Sequence, residues 1–360
     1  MRKLRVAIIG YGRSGRNIHR KLLSQLTDLF EIVAFVDKDP QRRDLIREEN
    51  NCEVLSDYIE LYGRADIDFV VNSSFSCNHS PISLELLKHG FNVLSEKPAA
   101  GSAEDFKKIM KTAEETGKSY YIFQQYRFAP SYRKVKEVIK SGVLGRIVQV
   151  NLNYSGFSRR WDWQTVQDFT GGSLFNTGPH PVDQALDLMG FPDEVKVVCF
   201  MDRAHTYGDA EDYVKLLLKS PNVPVLEVEI SSCNAYSEYT YLVQGTRGTL
   251  KGTTNKLDWK YYIDSDEEAR KLIIEPLRNE KGEPIYCSEK LKFHKGNWMA
   301  KGEEADDFNA KGLMFYRKFY DSMVNKKPFP ITQDQVLKQI EVIEESHRQN
   351  EKTLNKFIII

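Results

Sequence analysis

From the first residues to about residue 125, apolar positions fall into short continuous runs: LRVAII, EIVAFVD, DIDFVVNSS, FNVLSE and SYYIFQQ. Between them lie RNIHRKLLSQL, PQRRDLIREE, SPISLELLKHG and SAEDFKKIMKTAEETG, in which apolar residues recur every three or four positions. Continuous runs predict strands buried on both faces, and the intervening period predicts helices with one apolar side. Strand-helix-strand alternation is the rhythm of a doubly wound parallel sheet. After Pro130 the period changes. SYRKVKEVIKSG predicts a helix closed by Gly142. Beyond it RIVQVNLNYSGF, EVKVVCFMDRA, DYVKLLLK, VPVLEVEISSC, TYLVQG and GTLKGTT are rich in β-branched and aromatic residues, predicting an open, mostly antiparallel sheet. Residues 264–300 are polar and predict loops, and the chain from Glu303 predicts two helices joined by PFPI. The expected class is α/β in two domains, residues 1–125 and 126–360, the second including the C-terminal helices 303–350. The terminal FIII reads as an edge strand or interface tail with no assigned function.

Composition narrows the partners. The 51 basic and 51 acidic residues cancel, which argues against nucleic acid or an anionic membrane as partner and favours a small molecule. No run approaches the ~18 apolar residues of a membrane span, and VAII is too short for a secretory core. Five scattered cysteines without a CxxC pair fit a reducing compartment and give no metal signature. The expectation is a cytoplasmic protein without a bound metal.

Gly10-Tyr11-Gly12-Arg13-Ser14-Gly15 matches GxGxxG, and it follows the strand LRVAII and opens a helix from Arg16. In that context the glycines suit a tight turn and a close approach of backbone to a pyrophosphate at a helix N-terminus. EIVAFVD then ends in Asp37, whose carboxylate suits a ribose diol and repels a 2′-phosphate; this favours NAD, while Lys38 alongside leaves room for NADP. As plain structure, the same residues would be a glycine turn and a helix-capping aspartate. Ser74, Ser76 and His79 follow the strand DIDFVVNSS at the sheet edge where such folds bind ligands, and Glu96-Lys97-Pro98 follows FNVLSE at the same edge. The competing description is a Ser/Asn-rich turn and a surface lysine.

These stretches, with QYRFAP (Gln125 to Pro130) and GGSLFNTGPHPVDQAL, resemble the Gfo/Idh/MocA oxidoreductases in order and spacing across nearly the whole chain. The resemblance implies an N-terminal Rossmann domain and a C-terminal α/β domain whose open sheet forms homodimers or homotetramers. It also implies NAD(P)-dependent chemistry on sugars, sugar derivatives or cyclitols, a catalytic Lys97 followed by a commonly cis peptide to Pro98, and a catalytic-cleft histidine at His180. Gln125 and Arg127 would border the nicotinamide. Many family members carry aspartate where this chain has Asn176, which can orient a hydroxyl but cannot carry charge. Asp183 fits the trailing acidic position, or simply the first turn of a helix.

Alcohol oxidation needs a base, and a lysine becomes one only when burial or nearby positive charge lowers its pKa. His180, at the start of PVDQALDLMG with Pro181 beside it, is kept neutral by the helix dipole and can take or hold a hydroxyl proton. Tyr154, Arg159, Arg160, Trp161, Asp162 and Trp163 offer aromatic faces and charged donors to a polyhydroxylated ring, or else pack a subunit contact. Three functions follow: a dehydrogenase with Lys97, His180 and Asn176 at the reacting carbon; an NAD-dependent glycosidase using transient oxidation and elimination; or a non-catalytic NAD-binding regulator. Retention of Lys97 and His180 favours the enzymes.

Overall fold

A computed structural model describes residues 2–354, so the terminal FIII lies outside the described residues. The first sheet contains β1 (Leu4–Ile9), β2 (Phe30–Val36), β3 (Glu53–Leu55), β4 (Phe69–Asn72), β5 (Asn92–Ser95) and β6 (Tyr120–Ile122). Their order is β3-β2-β1-β4-β5-β6 and every pairing is parallel, as the continuous apolar runs predict. The order reverses between β1 and β4, and in such sheets ligands bind in the crevice beyond the carboxyl ends of the strands at that point. Helices α1 (Lys21–Leu23), α2 (Pro40–Glu49), α3 (His79–Lys88) and α4 (Ala103–Thr116) connect the strands. The segment preceding α1, Gly15–Arg20, is wound as a π-helix.

After α5 (Pro130–Lys140) the second sheet comprises β7 (Ile147–Asn153), β8 (Lys196–Asp202), β9 (Tyr213–Lys219), β10 (Val225–Ser231), β11 (Tyr241–Gly245), β12 (Gly248–Gly252), β13 (Lys256–Tyr261) and β14 (His294–Met299). Its order is β14-β13-β12-β11-β7-β10-β9-β8, antiparallel throughout except between β7 and β10. β14 corrects the expectation of loops throughout 264–300: HKGNWM pairs along its length with β13, and its inward residues are few enough to hide the alternation. α6 (Ser173–Asn176) and α7 (Pro179–Met189) lie between β7 and β8.

Helices α8 (Asp307–Asn325) and α9 (Gln333–Leu354) end the described chain. The sequence groups them with the second domain, yet Phe315, Tyr316, Phe319 and Tyr320 of α8 are buried in the core of the first sheet. α9 divides its apolar face, giving Val336 and Ile340 to the first core and Val342 and Ile343 to the second. The tail therefore returns to the nucleotide-type sheet, with about 1.5–3 kcal/mol of transfer free energy for each large side chain buried there. No helix among the described residues is long and apolar enough to cross a membrane.

Candidate active site

A cleft of about 1080 Å³ opens beyond the carboxyl ends of β1, β4 and β5. Its floor at one end is the turn after β1. Gly10 adopts φ +89°, and a Cβ there would stand 2.6 Å from the Ser73 carbonyl oxygen. At Gly15 a Cβ would stand 1.8 Å from the Gly10 carbonyl oxygen, so only glycine lets the helix start against the strand end. Gly12 instead faces open space, its nearest neighbour being an Arg42 nitrogen at 3.8 Å. Arg13 and Ser14 line the same turn. Asp37, at the end of β2, accepts from the backbone N–H of Tyr11 (2.7 Å) and of Asp39 (2.9 Å) and lies 3.6 Å from Arg42. Lys38 is mostly exposed, 3.5 Å from Asp57. These features fit a dinucleotide: an open glycine edge for its pyrophosphate and a fixed carboxylate for its ribose.

The middle of the cleft is built from the ends of β4 and β5. Ser74 and Ser76 line it, with the Ser74 hydroxyl donating to Asn72 Oδ1 at 2.7 Å. His79 is buried, with its ring nitrogens 2.8 Å from the Pro98 carbonyl oxygen and 3.1 Å from that of Ser74. It thus clamps the protein's own backbone, and burial lowers its pKa. Glu96 is likewise turned inward, with Oε1 3.1 Å from His19 Nε2 and Oε2 accepting from the Lys97 N–H at 3.2 Å. Burial opposes its ionisation, but the His19 hydrogen bond and the charges of His19, Lys97 and His79 outweigh burial and hold its pKa at about 2. His19 in turn contacts the Tyr316 hydroxyl at 2.6 Å, linking this joint to α8.

At the far end the Lys97–Pro98 peptide is cis, and Lys97 Nζ donates to the Asn176 carbonyl oxygen at 2.7 Å. Burial lowers the Lys97 pKa, the Arg13 and Arg160 charges add to this, and Glu96 opposes it. His180, at the second position of α7, is 7% exposed and stacks on Tyr126 at 4.0 Å. Its pKa lies well below 6.5, first through burial and then through the charges of Lys97 and Lys311. Burial is thus the leading reason the ring stays neutral. His180 Nδ1 is buried without a hydrogen-bond partner among the described residues, as is Gln125 Oε1 in the same wall. Such orphaned polar atoms are costly unless a ligand reaches them.

Arg160 and Trp163 also line the cleft, Arg160 bonded to Asp162 (2.6 Å) and Gln164, and Trp163 packed on Phe75 at 4.8 Å. Other sequence candidates stand elsewhere. Trp161 is 79% exposed and outside the wall. Tyr154 sits behind Tyr126 and donates to Gln184 at 2.9 Å. Asn176 presents its backbone to Lys97, while its side-chain oxygen accepts from Gln164 at 3.0 Å. Asp183 and Arg127, expected at the cleft, form a buried bidentate ion pair at 2.5 and 2.7 Å outside its lining, because two charges this deep are stable only together. Sequence reasoning missed Lys311 and Phe308 of α8, which enter the wall. Lys311 is 4% exposed, paired with Asp307, its Nζ 3.8 Å from the Tyr126 ring centroid. The available signal was a lysine interrupting the apolar stripe of Phe308, Gly312, Phe315 and Phe319.

Comparison with known proteins assigns this architecture. Residues 4–124 match the oxidoreductase family model with an NAD-binding Rossmann fold, and residues 132–251 match the GFO/IDH/MocA C-terminal domain. Among similar proteins, the 2,7-anhydro-N-acetylneuraminate hydratase of Mediterraneibacter gnavus is 27% identical over 72% of this chain and 71% of its own. The scyllo-inositol 2-dehydrogenase (NADP(+)) of Bacillus subtilis is 24% identical over 95% of this chain and 92% of its own. The WlbA dehydrogenase of Bordetella pertussis, solved with NADH and UDP-GlcNAcA, superposes with a TM-score of 0.76 at 21% identity, covering 97% of this chain and 96% of that one. With both domain models matched along one chain, this protein is a member of the Gfo/Idh/MocA oxidoreductase family and carries its NAD-binding domain.

Proposed function

We propose that the protein is an NAD(P)-dependent dehydrogenase that oxidises or reduces a hydroxyl-bearing carbon of a sugar, sugar derivative or cyclitol. The observation that carries this reading is the convergence of Lys97 and His180, both biased toward their neutral forms, on the cleft that begins at the glycine turn. Gly10, Gly12, Arg13, Ser14 and Gly15 would hold the pyrophosphate, Asp37 a ribose, and Gln125 the nicotinamide side. When bound, the nicotinamide supplies the hydride acceptor or donor. Lys97, anchored through one N–H to the Asn176 carbonyl, takes the hydroxyl proton through its nitrogen lone pair. His180 has too low a pKa to hold a proton for long, so it accepts a hydrogen bond from the hydroxyl and keeps it in register with Lys97. Tyr126 fixes the plane of the imidazole by stacking.

The hydratase name of one relative favours a second reading, in which oxidation is transient and an elimination or addition follows. The scyllo-inositol and UDP-GlcNAcA proteins support carbohydrate or cyclitol substrates. We further propose a cytoplasmic homodimer or homotetramer formed through the outer face of the second sheet, where Phe200 stands exposed between buried Cys199 and Met201, and a domain boundary near residue 125.

Absorbance at 340 nm with NAD or NADP over sugars, sugar acids, inositols and aryl glycosides tests the activity. Steady NADH production that disappears in Lys97→Ala supports the dehydrogenase. Product formation without net NADH favours transient oxidation.

A further inference from the structure

We propose that Glu211, which stands outside the cleft, is a positioning residue for the reaction: it fixes the short helix α6 and, through it, the Asn176 carbonyl oxygen that aims Lys97. The proposal rests on the dehydrogenase reading, since it takes Lys97 as the base.

The Lys97 amine is held through Asn176, whose carbonyl oxygen accepts from Nζ at 2.7 Å. That residue ends α6, a helix of four residues. A single turn is not stable by itself, because nucleation fixes several dihedrals for each hydrogen bond gained. Its position is therefore set from outside. Glu211 grips its first residues twice: the backbone carbonyl oxygen accepts from the Ser173 N–H at 2.9 Å, and side-chain Oε1 accepts from the Leu174 N–H, also at 2.9 Å. Gly172, just before the turn, has φ +109°, and a Cβ there would run into the Glu211 carboxylate. Phe175 stacks on His347 of α9 at 4.5 Å, and His347 Nε2 lies 3.8 Å from Glu211 Oε1. Gln164 closes the other side. Its carbonyl oxygen accepts from the Gly172 N–H at 2.8 Å, and its Nε2 donates to Asn176 Oδ1 at 3.0 Å.

Glu211 can serve as the fixed point because the chain beside it is tied on both sides. The Asp212 N–H donates to the Asp202 carbonyl oxygen at the end of β8 (3.0 Å), and the Asp212 carbonyl oxygen accepts from the Ser232 N–H just past β10 (2.9 Å). Glu211 itself is 2% exposed. It lines a separate cavity of about 380 Å³ and not the cleft, so its influence on the reaction passes through α6. A side chain too short to reach would leave the buried Leu174 N–H without its acceptor, and the turn would shift to find another. A misplacement of about 1 Å at a reacting group is enough to cost about a hundredfold in rate.

The test uses the full-length protein with Glu211→Ala, Glu211→Asp and Glu211→Gln. Acetic anhydride acetylates only a neutral amine, so peptide mass spectrometry of Lys97 over a pH series gives its titration midpoint without any substrate. In Glu211→Ala and Glu211→Asp the released amine gains water, and the midpoint should rise toward 10.5. The other charges that bear on Lys97, those of Glu96, Arg13 and Arg160, are unaltered in these variants. With whichever sugar or cyclitol yields NADH, kcat should fall about tenfold to a hundredfold while NAD affinity holds. Glu211→Gln keeps the reach to Leu174 without the charge and should restore both readouts. A Lys97 midpoint unmoved in the Ala and Asp variants would overturn the proposal. So would a loss in Glu211→Gln as deep as in Glu211→Ala, which would make charge rather than reach the agent, or a parallel fall of NAD affinity and kcat, the mark of a general structural role. If no compound yields NADH with the wild type, the dehydrogenase reading falls, and the labelling still decides whether Glu211 sets Lys97. Should Glu211→Ala fail to fold, the contrast between Asp and Gln decides.

Discussion

The two ends of the cleft are built on opposite plans. The nucleotide end comes from one stretch of chain, the turn after β1, completed by Asp37 at the end of the next strand. Its ion pairs are half-exposed, as at Arg42 and Lys38. The proposed catalytic end draws Lys97 from the edge of β5, Tyr126 from the turn before α5, Arg160 and Trp163 from the loop after β7, His180 from α7 and Lys311 from α8. There His180 and Lys311 are buried and Lys97 and Arg160 half-buried, and burial leads the shifts of both Lys97 and His180. Binding a common cofactor is a local backbone problem; tuning a base needs many segments to exclude water together.

That contrast can be broken most forcefully at Lys97. Lys97→Ala should lower kcat/KM by about 10³-fold or more, within the usual range for a general base, while NAD affinity measured by fluorescence titration stays near wild type. Because the ammonium form is disfavoured at this site, the wild-type rate should rise with pH through an apparent pKa below 10.5, a limb absent from the variant. Equal loss of cofactor binding would mean the two ends are not separable.

The scaffold of the catalytic end comes next. Asp183→Ala leaves the buried Arg127 guanidinium with Asp187 at 3.5 Å and Gln335 at 3.2 Å and should cost about 3 kcal/mol in urea unfolding, with activity falling alongside. A smaller effect belongs to the nucleotide end: Asp37→Ser should weaken NAD about tenfold, narrow the preference over NADP, and leave kcat nearly unchanged. The smallest sits at the joint. The Glu96 pKa of about 2 lies below the ordinary 4.5, so Glu96 contributes stability that is full above 4.5 and lost as pH falls toward 2. Glu96→Gln should flatten the acid limb of a melting-temperature profile across that window; an unchanged limb would remove Glu96 from the joint.

Particular residues show why some of this was legible. Gly10, Gly12 and Gly15 could be placed because their spacing and flanking strand and helix are short-range facts. The parallel sheet followed from strands apolar on both faces. β14 was hidden, since HKGNWM sits beside a long polar stretch and declares itself only by pairing with β13. Trp161 and Trp163, two residues apart, look alike in sequence, yet the loop turns one into the cleft and the other to solvent.

By itself the sequence determined the class of fold, the nucleotide turn and the presence of a lysine and a histidine suited to proton handling, since each depends on residue type and short spacing. Only the tertiary structure decided that Asn176 meets Lys97 through its carbonyl, that Asp183 is spent on Arg127, and that Lys311 crosses to the cleft from α8. Burial and charge at a point are sums over everything packed around it, and most of those neighbours are far away along the chain.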